Sequence, residues 1–152
     1  MVSPFLQIPQ SDWISSNELA FAIWDGYPVS PGHALIVPHR VFPSWWDATP
    51  DEGRAILDLL GEVKGIIQSA GWRPSGWNIG VNVGDAGGQT VPHLHMHLIP
   101  RYVGDMADPR GGVRHVIPDR GNWKTSPHYL HTYSLSSGGQ DEDKANGFKK
   151  TY

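Results

Sequence analysis

The chain changes its hydrophobic period along its length, and those changes predict its elements. Residues 19–25 (LAFAIWD) and 33–38 (HALIVP) are compact apolar runs separated by Gly26-Tyr27-Pro28 and Ser30-Pro31-Gly32, which predicts two strands in a hairpin with a long connection. From Thr49 the spacing lengthens to three and four: Ile56, Leu59, Leu60, Val63, Ile66, Ile67 and Ala70 fall on one helical stripe. Thr49 is the expected N-cap, Pro50 the first helical residue, Glu52 the capping-box acid and Gly71 the stop. Strand-like alternation returns in 77–83 (WNIGVNV) and 93–100 (HLHMHLIP), joined through a glycine-rich loop at 84–88. Pro4 and Pro9 predict an irregular start over residues 1–17. Residues 108–114 (DPRGGVR) are turn-rich and basic, and the Ser, Gly, Asp, Lys and Asn content after Ser134 predicts a flexible tail over 134–152 behind a single domain at 1–133. Hairpin, helix and two further strands imply an α+β domain, an antiparallel sheet with one main helix packed on it.

Composition narrows the chemistry. At 152 residues, with 39% hydrophobic and 18% charged positions, the chain suits one ordinary globular core. A net charge of −3 argues against a broad nucleic-acid footprint. There is no cysteine, which removes disulfides, thiolate zinc sites and cysteine nucleophiles. No apolar run reaches the roughly 18 residues of a membrane span, and no basic-then-apolar leader opens the sequence, so a cytoplasmic protein is expected. Eight histidines are the unusual count.

Three of them, His93, His95 and His97, are spaced by two, so on a strand they share a face while Leu94, Met96 and Leu98 share the other. Three readings of that face stand side by side. The first is histidines satisfied by packing. The second is a metal site, although the outer Cα atoms of such a strand lie about 13 Å apart, too far for both rings to meet one ion. The third gives each imidazole its own role, one as a nucleophile and its neighbours fixing its tautomer and handling the leaving group. The 84–88 loop with Gln89 and Thr90 supplies donors that suit an anion in that third reading.

His93-Leu94-His95-Met96-His97-Leu98-Ile99 is identical in pattern to the signature of the histidine-triad (HIT) superfamily, His-φ-His-φ-His-φ-φ with φ apolar. The resemblance runs from about Leu19 to Arg101 and includes Asp25, Pro28-Val29-Ser30-Pro31-Gly32-His33 and Gly88-Gln89-Thr90-Val91. Glu18-Leu19-Ala20-Phe21-Ala22-Ile23 and Ile99-Pro100-Arg101 are similar to the fragile-histidine-triad, dinucleoside polyphosphate hydrolase branch, and residues 108–118 (DPRGGVRHVIP) resemble bacterial members.

That resemblance implies a HIT-like fold and a nucleotidyl hydrolase acting at an α-phosphate through a nucleotidyl-histidine intermediate. It makes His95 the nucleophile, His97 the residue at phosphate and leaving group, His93 a buttress, and His33 the residue that hydrogen-bonds to the nucleophile and orients it. Asp25 falls where the family binds ribose, Ile23 and Leu35 near the base, and Asn82, Gln89 and Thr90 near the phosphates. It also implies a homodimer whose sheets join, with a nucleotide as partner; the net charge of −3 disfavours nucleic acid. No cofactor is required by such chemistry, although Mg2+ is compatible with a polyphosphate substrate, and no metal is expected at the active site. Many relatives begin with Cys-x-x-Cys and hold zinc there; Ser3-Pro4-Phe5-Leu6 stands in its place, so no structural zinc is expected. Alternatives are a nucleotidyltransferase or phosphorylase that passes the group to another acceptor, and a non-catalytic nucleotide-binding sensor. Arg110 and Arg114 are candidates for polyphosphate contact or for turn stabilisation, and Trp123 for contact with a partner's site or for packing. Trp45-Trp46 matches no family feature.

Overall fold

Alternation in the strands and a three-to-four period in the helix produce one sheet with two unlike faces. The computed structural model describes residues 2–125; the tail assigned to 134–152 and the domain limit at 133 lie outside those residues, as do His128 and His131. The strands are β1 (Ser15–Ser16), β2 (Ala20–Trp24), β3 (Ala34–Pro38), β4 (Gly76–Val81) and β5 (Met96–Arg101), and the helix α1 is Pro50–Ser69. All neighbours are antiparallel, in the order β1-β2-β3-β5-β4. The start of the chain is more ordered than its prolines predict. It holds short 3-10 turns at Pro4–Gln7 and Gln10–Asp12 and the edge strand β1, since Pro suits the first position of such a turn.

The helix stripe packs as its spacing requires. Ile56, Leu59, Val63 and Ile67 are buried against Ala20, Ala22, Ala34, Ile36, Leu94, Met96 and Leu98, whereas Leu60 is only partly covered and Ala70 is exposed. Three alanines on that sheet face leave room for the helix to sit close. The capping box forms on both sides, with Thr49 accepting from the Glu52 amide and Glu52 accepting from the Thr49 amide. Glu52 is also gripped by Arg40 through bonds of 2.8 and 2.7 Å, which holds its carboxyl at about 2.

The opposite face carries Phe21, Ile23, Leu35 and Val37, covered by Phe5, Ile8 and Trp13 from the start of the chain. Trp13 stacks on Phe21 at 4.4 Å, and Phe21 stacks in turn on His39, whose Nε2 donates to the Asn17 carbonyl. Gly32 sets the entry to β3. Its φ of +82° is in the left-handed region, and a Cβ there would meet the Trp72 ring at 2.9 Å.

Two strand limits differ from the sequence expectation. β4 stops at Val81, short of Val83. β5 begins at Met96, so His93 and His95 lie ahead of the ladder. The register explains the second: Leu35 pairs with His97 and Ile36 with Met96, so continuing it would bring Pro38 opposite Leu94, and proline has no amide to donate. The Leu94 amide bonds instead to the Phe42 carbonyl.

Candidate active site

The register of β3 against β5 brings the histidines together. Leu35 lies opposite His97, which puts His33, two residues earlier on the same face, diagonal to it; His33 Nε2 is 2.9 Å from His97 Nδ1. Asp25, just past the end of β2, is tied to His33 through its own amide and the His33 carbonyl at 3.0 Å. Its carboxylate lies 3.3 Å from His33 Nε2 and 3.8 Å from His97 Nδ1, and its other oxygen accepts from the Tyr27 amide at 2.7 Å. A cavity of about 510 Å³ opens beside Asp25 and His33, walled by Trp24, Trp72 and the 28–32 turn.

Hydrogen bonds to the backbone fix the proton positions on these rings. The Val29 amide donates to His33 Nδ1 at 3.2 Å, so neutral His33 carries its proton on Nε2 and donates it to His97 Nδ1. His97 Nδ1 is then an acceptor, and its own proton sits on Nε2. That Nε2 is buried and has no hydrogen-bond partner among the described residues. Burial, more than the neighbouring rings of His95 and His33, holds His97 down at about 4 despite the opposing pull of Asp25, so the ring is neutral near pH 7. Burial lowers His33 as well, against the same carboxylate.

His95 is arranged in the opposite sense. Its Nδ1 donates to the His93 carbonyl at 2.8 Å, which leaves the lone pair on Nε2. Its ring meets the His97 ring edge-on, with centroids 5.2 Å apart. His93 is wholly buried, and burial lowers its basicity too. Its Nε2 donates to the Pro38 carbonyl at 2.8 Å, and its Nδ1 accepts from the Ser3 hydroxyl at 2.6 Å. One expectation is corrected here: His33 bonds to His97, not to His95. The reason is register, since His97 and not His95 lies within diagonal reach of His33.

Other expected residues divide. Ile23 and Leu35 pair across β2 and β3 on the histidine face, both buried. Asn82 is one step past Val81, which pairs with Met96, so it falls in line with His95. Gln89 uses its amide to staple the loop, accepting from the Gly84 amide and donating to the carbonyls of Pro43 and Val91. The amides of Gly87, Gly88 and Gln89 close a tight 3-10 turn on Gly84 and Asp85, so they face inward and not toward an anion. Thr90 is exposed. Arg110 is paired with Asp108, and Arg114 donates to the carbonyls of Gly121 and Arg120; these are turn-stabilising contacts. His115 donates to the Arg110 carbonyl in the same turn. Trp123 is exposed beside Lys124, and Trp45-Trp46 opens a short 3-10 turn with Trp45 against the core.

Asp25, His33 and His97 offer donor atoms within 4.8 Å of one another, the residue types that hold a divalent ion. The Val29 bond opposes that use. With His33 Nδ1 already accepting, metal at Nε2 would require an imidazolate, so the trio suits a chain of hydrogen bonds better than a metal. Ser3, Phe5 and the Val29 amide carry no site signal in the sequence. The first two sit in a proline-broken stretch without periodicity, and a main-chain donor has no sequence signal.

The family model described as the HIT domain matches residues 7–104. The AP-4-A phosphorylase of Mycobacterium tuberculosis (strain H37Rv) is 36% identical over 108 residues, covering 67% of this chain and 55% of that protein. The asymmetrical bis(5'-nucleosyl)-tetraphosphatase of Schizosaccharomyces pombe is 38% identical over 92 residues, covering 60% of this chain and 50% of that protein. Among solved structures, a HIT family protein from Bacillus anthracis superposes with a TM-score of 0.58 at 32% identity, covering 62% of this chain and 66% of that one. The chain thus spans about half the length of the curated relatives it matches.

Proposed function

Because the chain belongs to the HIT domain family, we propose that it is a nucleotidyl hydrolase that opens dinucleoside polyphosphates or related AMP-bearing compounds at the α-phosphorus. The observation that carries this reading is the pair of hydrogen bonds on one face that set opposite tautomers: His95 Nδ1 on the His93 carbonyl leaves a lone pair on Nε2, and His97 Nδ1 on His33 leaves an N–H on Nε2 with no partner among the described residues. The first is a nucleophile and the second a donor for phosphate oxygen. The names of the two curated relatives, both of which refer to dinucleoside polyphosphate chemistry, support the substrate class.

In this reading His95 Nε2 attacks the α-phosphorus, an N–P bond forms, and the P–O bond to the leaving phosphate breaks, its electron pair going to that oxygen. The approaching phosphate raises the affinity of His97 for a proton and draws its N–H into a charge-assisted bond. Water then attacks phosphorus and gives up a proton to solvent, the N–P electron pair returns to His95 Nε2, and AMP leaves. Asp25 takes the ribose hydroxyls, Ile23 and Leu35 the base, and Asn82 and Thr90 the phosphates, with Gln89 holding their loop. No step needs a metal, although Mg2+ can travel with a polyphosphate. A structural zinc does not fit the start of the chain, where Ser3 is bound to His93 and Leu6 offers no donor. A homodimer joined along β4 is part of this proposal; β4 is an edge strand with Ile79 exposed, and sedimentation of wild type against Ile79→Lys tests it. The dimer idea fails if both sediment as monomers.

Rapid quenching of the chain with an α-labelled dinucleoside polyphosphate tests the mechanism. The expected result is an acid-labile, base-stable label on the protein, absent in His95→Ala. Turnover with undiminished rate in His95→Ala would overturn it. Transfer to phosphate is the second reading, favoured by the phosphorylase among the relatives; ADP in place of AMP when inorganic phosphate is added identifies it.

A further inference from the structure

We propose that Ser3 is a positioning residue for the nucleophile, acting through His93; this rests on the reading of His95 as nucleophile. The segment that carries His93 and His95 lies ahead of β5 and lacks the ladder bonds that fix a strand; beyond the Leu94 amide on the Phe42 carbonyl, side-chain anchors hold it. His93 supplies them at both ring nitrogens, to the Pro38 carbonyl and from the Ser3 hydroxyl. The carbonyl of that same residue receives His95 Nδ1–H and so sets which nitrogen of His95 keeps the lone pair.

Ser3 is committed to this contact. It precedes the turn Pro4–Gln7, yet its side chain makes no cap bond to that turn. Only 7% of it is exposed, although it is the third residue of the chain. The turn itself is docked on the site: the Phe5 ring lies 5.8 Å from the His93 ring and 5.0 Å from the His95 ring, and Phe5 and Ile8 pack against the apolar patch of Phe21, Ile23, Leu35 and Val37. Removing the hydroxyl leaves a buried acceptor on a wholly buried ring without a partner, which favours a shift of the ring and of the carbonyl that orients His95.

Ser3→Ala and Ser3→Thr in the full chain, compared with wild type, test this by two readouts. With a dinucleoside polyphosphate as substrate, Ser3→Ala should lower kcat about tenfold, the effect of one lost hydrogen bond, with KM within about twofold. Ser3→Thr, which keeps the hydroxyl, should restore kcat to within about threefold. Long-range proton–nitrogen spectra of histidine-labelled protein should show one His95 tautomer, protonated at Nδ1, in wild type and Ser3→Thr, and a mixture in Ser3→Ala. An unchanged His95 spectrum in Ser3→Ala, or an equal loss in both variants, would overturn the proposal. If wild type turns over no dinucleoside polyphosphate, the functional reading fails, and the spectra alone still decide the role of Ser3.

Discussion

The two faces of the sheet are made by alternate residues of the same strands, yet they do different things. On the helix face, Leu94, Met96 and Leu98 are buried beside alanines and the α1 stripe. On the other face, His95 and His97 continue the row of Leu35 and Val37; the proton of His95 is placed by the His93 carbonyl, and that of His97 by His33, whose own tautomer the Val29 amide sets. The first face is satisfied by filling volume, where dispersion and burial have no direction. The second is satisfied only by direction, because a buried ring nitrogen without a partner is costly unless a ligand takes it up.

Mutations that separate the faces have the largest expected effects. His95→Ala should lower kcat/KM by about ten-thousandfold, the scale of losing a nucleophile, while shifting the urea midpoint little. Leu98→Ala should do the reverse, lowering stability by about 2–5 kcal/mol with the kcat of the folded fraction retained. Comparable loss of both properties in both variants would show that the faces are not independent.

His97→Asn sharpens the comparison within the polar face. It keeps a donor but not the imidazole, and kcat should fall by about a hundredfold or more in single-turnover measurements, with substrate binding affected less. A smaller effect follows from acid. His97 in the fold sits at about 4 against 6.5 for a free imidazole, and His33 and His93 are also lowered by burial. Below 6.5 the unfolded chain takes up protons that the fold refuses, so stability is full above that pH and declines as pH falls toward 4. Urea midpoints at pH 7 and pH 5 should show this, and the slope should flatten in His97→Asn. Glu52 acts in a lower window: its contribution is present above 4.5 and lost as pH falls toward about 2. The mildest test is on the helix side, where Thr49→Ala should cost about 1 kcal/mol and leave kcat unchanged.

The elements were legible where a residue pattern has one physical solution. The stripe from Ile56 to Ile67 admits only a helix, and the capping box at Thr49 and Glu52 forms as the sequence implied. The strand limits were less legible. That β5 starts at Met96 depends on Pro38 arriving opposite Leu94, a pairing between residues 56 apart in sequence.

The site divides in the same way. Which side chains share a face is written in the sequence, because alternation along a strand is a property of the backbone; the catalytic candidates are written there too, since His93, His95 and His97 are visible as a motif. What each ring bonds to came from folding. It turned His33 toward His97, set both tautomers through the Val29 amide and the His93 carbonyl, closed the 84–88 loop on itself, and brought Ser3 to a ring ninety residues away. Proton positions follow from partners, and partners such as backbone carbonyls and amides are the same in every residue until folding selects which of them meet.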